Sequence, residues 1–405
     1  MSWTLPSFAL AQPIQWNALL VFGSLLLLGL VGGHLVTKVR WVPRITGYLL
    51  IGFLLGAGRL DLLSGDMLNL ARVFGDVATA LMVYQLGRYL DLGWLAREKK
   101  WLLATVFCSA TLCFLLVWGA LEWLGLSRAV AMLAGVLAIG TAPAVVMVVV
   151  RDLKAEGMVT RRLAAMTALN ILLALLAVYL LLPLLAREGN IPFQRMAAHT
   201  AYSLGGSFLL AYLTYRLMLP LAQLLGRQRS RQFVLVIAVI TLTIGAAHAL
   251  QLPVLLTMLI FAILSKKNLD QQYDLMELEF GVASELFIVM LFVTIGASIR
   301  LPDLLTVGAA VLVLVAARFV AMGSSIFLFA RPARLNWKQA GLLTIGSLPM
   351  TEAGLGLMQT VSFLYPNLTT AIAPLLAGSL IVLELFGPVA TQFALIKSGE
   401  SGREA

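Results

Sequence analysis

Apolar runs of roughly 20 residues follow one another along nearly the whole chain, and that pattern decides what it can become. A helix of that length spans the ~30 Å hydrocarbon layer of a bilayer. Composition agrees: 60% of the 405 residues are hydrophobic and 12% charged, against roughly 25% charged in a soluble domain. A soluble core of this size has no room for so much apolar surface. The expected fold class is an all-α polytopic membrane protein. The longest polar segments reach roughly a dozen residues, too few to fold alone, so no extramembrane domain is expected.

The runs resolve into thirteen predicted spans, at 16–37, 45–57, 68–87, 101–124, 129–150, 163–186, 199–220, 232–250, 253–265, 278–297, 305–330, 339–361 and 368–395. Two of them, 45–57 and 253–265, are short for a crossing. The loops decide in their favour. "KVRWVPR", "RYLDLGWLAREKK", "RDLKAEGMVTRR", "GRQRSR", "SKKNLDQQYD", "RPARLNWK" and the tail "KSGESGREA" are rich in basic residues, and the loops between them are not. Basic loops stay in the cytoplasm, so the N-terminus is expected outside and the C-terminus inside. Losing either short span would put half the loops on the wrong side. The same rule accounts for the net charge of +10 without a nucleic-acid partner. A multi-pass protein of the cell (inner) membrane is expected. The first residues, "MSWTLPSFALAQPIQW", lack the basic start and long apolar core of a signal peptide.

The spans also suggest an inverted repeat. Segments 45–186 and 253–395 each hold five spans, joined through 199–231, with 396–405 left as a short tail. Each segment opens on a short span, and each carries a proline-broken span in fourth place, "AIGTAPAVVMVV" in one and "IGSLPMTEAGLG" in the other. Paired interrupted spans at matching positions point to a transporter site near the bilayer midplane. Pro143 marks the first break; Gly346, Pro349 and Gly354 mark the second.

Polar residues gather at that depth. Glu352 lies fourteen residues beyond Lys338, roughly 20 Å along a helix. Arg318 is midway through its span, Asn170 lies eight residues after Arg162, and Thr141 is central in the first broken span, as Thr351 is in the second. A charge at the bilayer centre costs at least ~2.5–3.5 kcal/mol, so Arg318 and Glu352 are expected either to pair or to cap the half-helix ends exposed at the breaks. A purely structural ion pair remains an alternative. Glu384 is deep in the last span. Asp76, Glu285, His34 and His248 sit nearer span ends and read as structural or interfacial. Cys108 and Cys113 share one apolar run and read as packing residues. There is no metal-ligand spacing, nucleotide-binding loop, dinucleotide fingerprint or nucleophile elbow, so neither an enzyme nor a cofactor is expected.

In order along the chain, "VPRITGYLLIGFLLG", "FGDVATALMVYQLGRYLDL", "ELFIVMLFVTIGASI" and "SLPMTEAGLGLM" resemble successive helices of the monovalent cation:proton antiporters, especially the antiporter-2 branch. The resemblance runs through nearly all of 40–390. It implies the sodium/proton antiporter fold, with a dimerisation part, a core part with two crossed interrupted helices, and a homodimer. It also implies transport of Na+ or K+ against protons. Glu352 matches the family's late glutamate and Arg318 its basic residue, whereas Arg88 stands where the family has a glutamate.

The departure is chemical. After the first broken helix the family carries an acidic pair whose second carboxylate binds the ion; here Asn170-Ile171 fills it, beside Thr141-Ala142-Pro143 in the break. The scaffold carries over and the coupling carboxylate does not, so Glu352 or Glu384 would have to supply it. Two other classes remain open: a divergent subunit acting as channel, sensor or partner-regulated component, with a separate regulatory subunit, and a transporter of an anion drawn to helix N-termini and Arg318.

Overall fold

The computed structural model describes residues 18–36, 42–56, 65–90, 92–185, 193–226, 228–273, 281–299, 301–351 and 366–402. These form fourteen helices: α1 (Ala18–Val36), α2 (Arg44–Leu55), α3 (Gly65–Tyr89), α4 (Leu92–Trp123), α5 (Arg128–Leu137), α6 (Pro143–Leu153), α7 (Met158–Leu185), α8 (Phe193–Leu225), α9 (Arg229–Ala249), α10 (Val254–Tyr273), α11 (Gly281–Ala297), α12 (Leu301–Ala330), α13 (Trp337–Gly346) and α14 (Pro366–Ser398). No strand is found among the described residues beyond one isolated bridge. Among the described residues six helices are long and apolar enough to cross a membrane, within 100–123, 158–181, 197–225, 231–249, 307–330 and 368–398.

Every predicted span contains a described helix. The fifth is divided, as its proline requires: α5 stops at Leu137 and α6 starts at Pro143. Proline lacks an amide hydrogen and is best accommodated in a helix's first turn, where that hydrogen has no partner anyway; Pro183, Pro220, Pro374 and Pro388 instead lie inside continuous helices. The helices overrun the apolar runs at their polar ends. α10 continues through "SKKNLDQQY" to Tyr273, and α4 begins at Leu92, before the apolar run at 101. Lysine, arginine, glutamine and glutamate are good helix formers, so leaving the apolar layer does not end a helix.

Packing depends on small residues where backbones meet. A Cβ on Gly52 of α2 would collide with the Val293 carbonyl of α11, and one on Gly296 with the Leu49 carbonyl. A Cβ on Gly47 would strike the Gly32 carbonyl of α1. Lipid gives no hydrophobic drive to helix association, so close van der Waals contact of this kind must supply it. The helices α1, α2 and α11 therefore pack as a block of touching backbones. α3 lies against α10 and α11, and α4 against α12 and α5; α14 lies against α12, α13 and α6.

One end of the bundle collects the basic-rich loops. Buried Arg162 in the first turns of α7 donates to Glu98 of α4 at 3.0 Å and to the Ala333 carbonyl after α12 at 2.6 Å. The tail folds back there too. The Glu400 carboxylate accepts from the Val159 and Thr160 amides at 2.8 and 2.7 Å, capping the start of α7. A carboxylate there satisfies orphan amides and complements the helix dipole.

Candidate functional site

The two interrupted helices meet at their breaks. After α5 the chain turns through Ala138 and Ile139 and runs extended to Ala142; after α13 it turns at Ser347 and runs on to Thr351. The two extended pieces form an antiparallel bridge between Thr141 and Met350. The Ala142 amide donates to the Pro349 carbonyl at 3.2 Å, and the Thr351 amide donates to the Gly140 carbonyl at 3.3 Å. Unwound backbone inside a membrane protein must be satisfied by protein or by a water-filled cavity. Here each break partly satisfies the other. Gly140 allows the approach, because a Cβ there would overlap the Thr351 methyl.

Arg318 of α12 straps the crossing. Its Nη2 donates to the Gly140 carbonyl and to the Pro349 carbonyl, both at 3.0 Å, while Nη1 lies 3.4 Å from Met322 Sδ. One nitrogen with two hydrogens thus serves one carbonyl from each break. The side chain is 1% exposed. Two helix C-termini, those of α5 and α13, end beside it. Their partial negative charges favour a cation there. Of the two roles expected for Arg318, the capping of half-helix ends is seen among the described residues. Its pairing with Glu352 lies outside the described residues, as do Glu352 and Gly354 themselves.

Asn170 also faces the crossing. It is fully buried on α7, and its Nδ2 donates to Thr141 Oγ1 at 3.1 Å. Its Oδ1 is buried and accepts nothing from a described residue. Ile171 beside it is 0% exposed, an apolar side chain where the resemblance sets a carboxylate. Thr141, Pro349, Thr351, Asn170 and Arg318 are therefore brought together, and Pro143 opens α6 at the same place.

Three contributors were not anticipated from sequence. Cys113 donates its thiol to the Ala138 carbonyl at 3.3 Å, just after α5. Thr391 of α14 donates to the Gly346 carbonyl at 3.1 Å, at the end of α13. Gly387 packs on Pro349, where an added Cβ would lie 3.0 Å from the proline Cα. The α14 spacing held a faint signal, since Glu384, Gly387 and Thr391 recur at i, i+3 and i+7 on one face. Gly346 faces Thr391 and Pro349 faces Gly387, so the two segments run antiparallel. Glu384, three residues before Gly387, lies ~4.5 Å earlier along α14 on the same face as Gly387 and Thr391. Glu384 is 1% exposed.

An apolar helical bundle with two broken helices, crossed at their breaks and held by a buried cation, has the architecture of an ion-coupled membrane transporter. The chain belongs to the sodium/hydrogen exchanger family. The family's transmembrane model matches residues 23–397. Two solved structures of the sodium proton antiporter MjNhaP1 from Methanocaldococcus jannaschii share the fold. One, determined at pH 8, is 18% identical, covers 94% of this chain and 95% of that chain, and gives a TM-score of 0.65. The other, an electron-microscopy map, is 17% identical, covers 94% and 96%, and gives 0.72. No curated protein matches the chain in sequence. Family and fold are those of transporters, not of enzymes.

Proposed function

We propose that the protein exchanges a monovalent cation, Na+ or K+, for protons by alternating access around the crossing of Thr141, Asn170 and Arg318. The observation that carries this reading is the buried Glu384, on the α14 face that packs against the second break. A single carboxylate can hold either a proton or a cation, and competition between the two couples their fluxes. Asn170 Oδ1, Thr141 Oγ1 and break carbonyls are the neutral oxygens such a cation takes as further ligands. Arg318 is a fixed positive charge beside them, which favours release of the cation once the carboxylate takes a proton. Glu352, on the second broken segment, is the other carboxylate candidate. Packing supports the inverted repeat of 45–186 and 253–395 about the linker 199–231: α2 lies on α11 as α10 lies on α3, and α4 lies on α12. The protein acts as a homodimer in the cell membrane, with residues 396–405 cytoplasmic.

The test is cation-driven proton movement in liposomes with an internal pH dye and a panel of salts. Na+ or K+ should drive proton flux, and Glu384→Gln should reduce it at least tenfold. Flux that survives both Glu384→Gln and Glu352→Gln would mean that the carboxylate lies elsewhere. Anion-driven flux would support an anion substrate received by Arg318 and helix N-termini.

One observation favours a second reading. Ile171 is wholly buried and apolar where the resemblance expects the ion-binding acid. A protein that carries the scaffold without the chemistry would be silent in the same liposomes and would act as a channel, sensor or partner-regulated subunit. Ile171→Asp should then create cation-dependent proton flux where the native chain has none.

A further inference from the structure

Arg44, the first residue of α2, holds two carboxylates from two other helices. Its Nε and Nη2 donate to the two oxygens of Asp152 at 3.1 and 2.6 Å, and its Nη1 donates to Glu285 Oε1 at 2.8 Å. The Asp152 side chain is 8% exposed, whereas those of Arg44 and Glu285 are about a third exposed. The two-pronged arginine–carboxylate geometry fixes direction as well as distance. A partly buried pair of this kind is also screened less by salt than a surface pair.

The helices that contribute these residues belong to different parts of the molecule. α2 and α11 lie in the glycine-packed block, where backbone touches backbone at Gly52 and Gly296. The Arg44–Glu285 pair is thus internal to that block. Asp152 is in the last turn of α6, and α6 opens at the crossing: it begins at Pro143, beside the Ala142–Pro349 hydrogen bond, and packs on α14 and α7 on one hand and on α3 on the other. The Arg44–Asp152 pair therefore spans the seam between the block and the crossing. Elsewhere α6 meets this side of the molecule through α3, which lies on α11, and its buried side chains are apolar, from Val145 to Val150 with Met147 among them. Apolar faces can slide past one another at small cost, but a two-pronged ion pair cannot stretch without breaking.

We infer that Arg44 and Asp152 form a latch that closes one end of this seam and opens when the crossing moves against the α1–α2–α11 block. The inference rests on the alternating-access reading for its role in transport. Glu285 makes the latch reversible. When Asp152 withdraws, the Arg44 guanidinium keeps a carboxylate, so opening does not strand a half-buried cation. The latch lies at the end where the basic-rich loops gather, which is the cytoplasmic end under the proposed topology.

The test reads solvent access at the start of α2, two residues from Arg44. Thr46, in the first turn of α2 and 6% exposed, becomes a thiol reporter through Thr46→Cys in a Cys108→Ser background, leaving Cys113 fully buried. The protein is placed in nanodiscs and labelled with a water-soluble maleimide. Asp152→Asn should raise the labelling rate of the Thr46→Cys reporter several-fold, and Asp152→Glu, which keeps the charge, should return it toward the rate seen with native Asp152. An unchanged rate in Asp152→Asn would overturn the latch. An equal rise in Asp152→Glu would overturn it too, because charge would then not be what holds the seam. Transport by the native chain in liposomes is measured separately. If that chain moves no ions, the exchange reading falls, while labelling still decides whether the latch exists.

Discussion

A single guanidinium nitrogen of Arg318 satisfies one carbonyl from each broken helix, at Gly140 and at Pro349. Hydrogen bonds to a charged group are worth about 1.5–3 kcal/mol each. Arg318→Met removes both and leaves two carbonyls without this donor, partly offset by no longer burying a cation. The expected net loss is about 3 kcal/mol, read as a clear fall in the thermal midpoint in detergent. Arg318→Lys keeps the charge but loses the planar fork, and should fall between the two. A midpoint unchanged by Arg318→Met would mean that the breaks hold themselves. The break residues were legible in sequence because proline falls together with glycine and threonine at the same place in two apolar runs; lone prolines such as Pro183 and Pro374 leave their helices whole. The partner of Arg318 was not. A buried cation calls for compensation, and the sequence offers carboxylates and carbonyls alike; the two carbonyls it meets among the described residues are found only in the fold.

Helix contact depends here on a missing side chain. Gly52 and Gly296 let α2 and α11 touch, and any larger residue would meet a carbonyl of the facing helix. Gly52→Val should force the helices apart, at the ~1–3 kcal/mol typical of overpacking or more, and lower the thermal midpoint. Gly205 in α8 has nothing within 4 Å of an added Cβ, so Gly205→Ala should leave the midpoint equal or slightly higher. Equal losses at both sites would show that contact is not the cause. Local propensity, in turn, explains why the element ends differ from the apolar runs. Hydropathy marks where lipid ends, and helix propensity continues past it, as α10 does to Tyr273.

At the scale of the molecule, several loops that are basic-rich in sequence meet at one end. Arg44 reaches Asp152, Arg162 reaches Glu98 and Ala333, and Glu400 caps α7. That common end supports the proposed topology. Reporter fusions after Lys100, Arg162 and Lys267 should all read as cytoplasmic; an outside reading after Lys267 would remove one short span and the inverted repeat with it. Mass measurement in nanodiscs should find two copies of the chain, and a clean monomer would count against the proposed homodimer.

The membrane class, the helical content, the first break before Pro143 and the end of α13 at Gly346 followed from the sequence alone. Lipid forbids unpaired backbone, so long apolar runs have a narrow choice of structure, and a proline set among threonine and glycine marks where one can be interrupted, although Pro183, Pro220, Pro374 and Pro388 sit inside continuous helices. What only the tertiary structure decided is which groups answer one another. Cys113 with Ala138, Thr391 with Gly346, and Arg318 with two carbonyls are pairs separated by 25, 45, 178 and 31 residues. Hydropathy carries no information about azimuth around a helix that is apolar on every side, so the face that α14 turns toward Pro349 is set by packing. Small residues such as Gly387 show where two backbones can come close. The partner that comes close is fixed only when the whole bundle assembles.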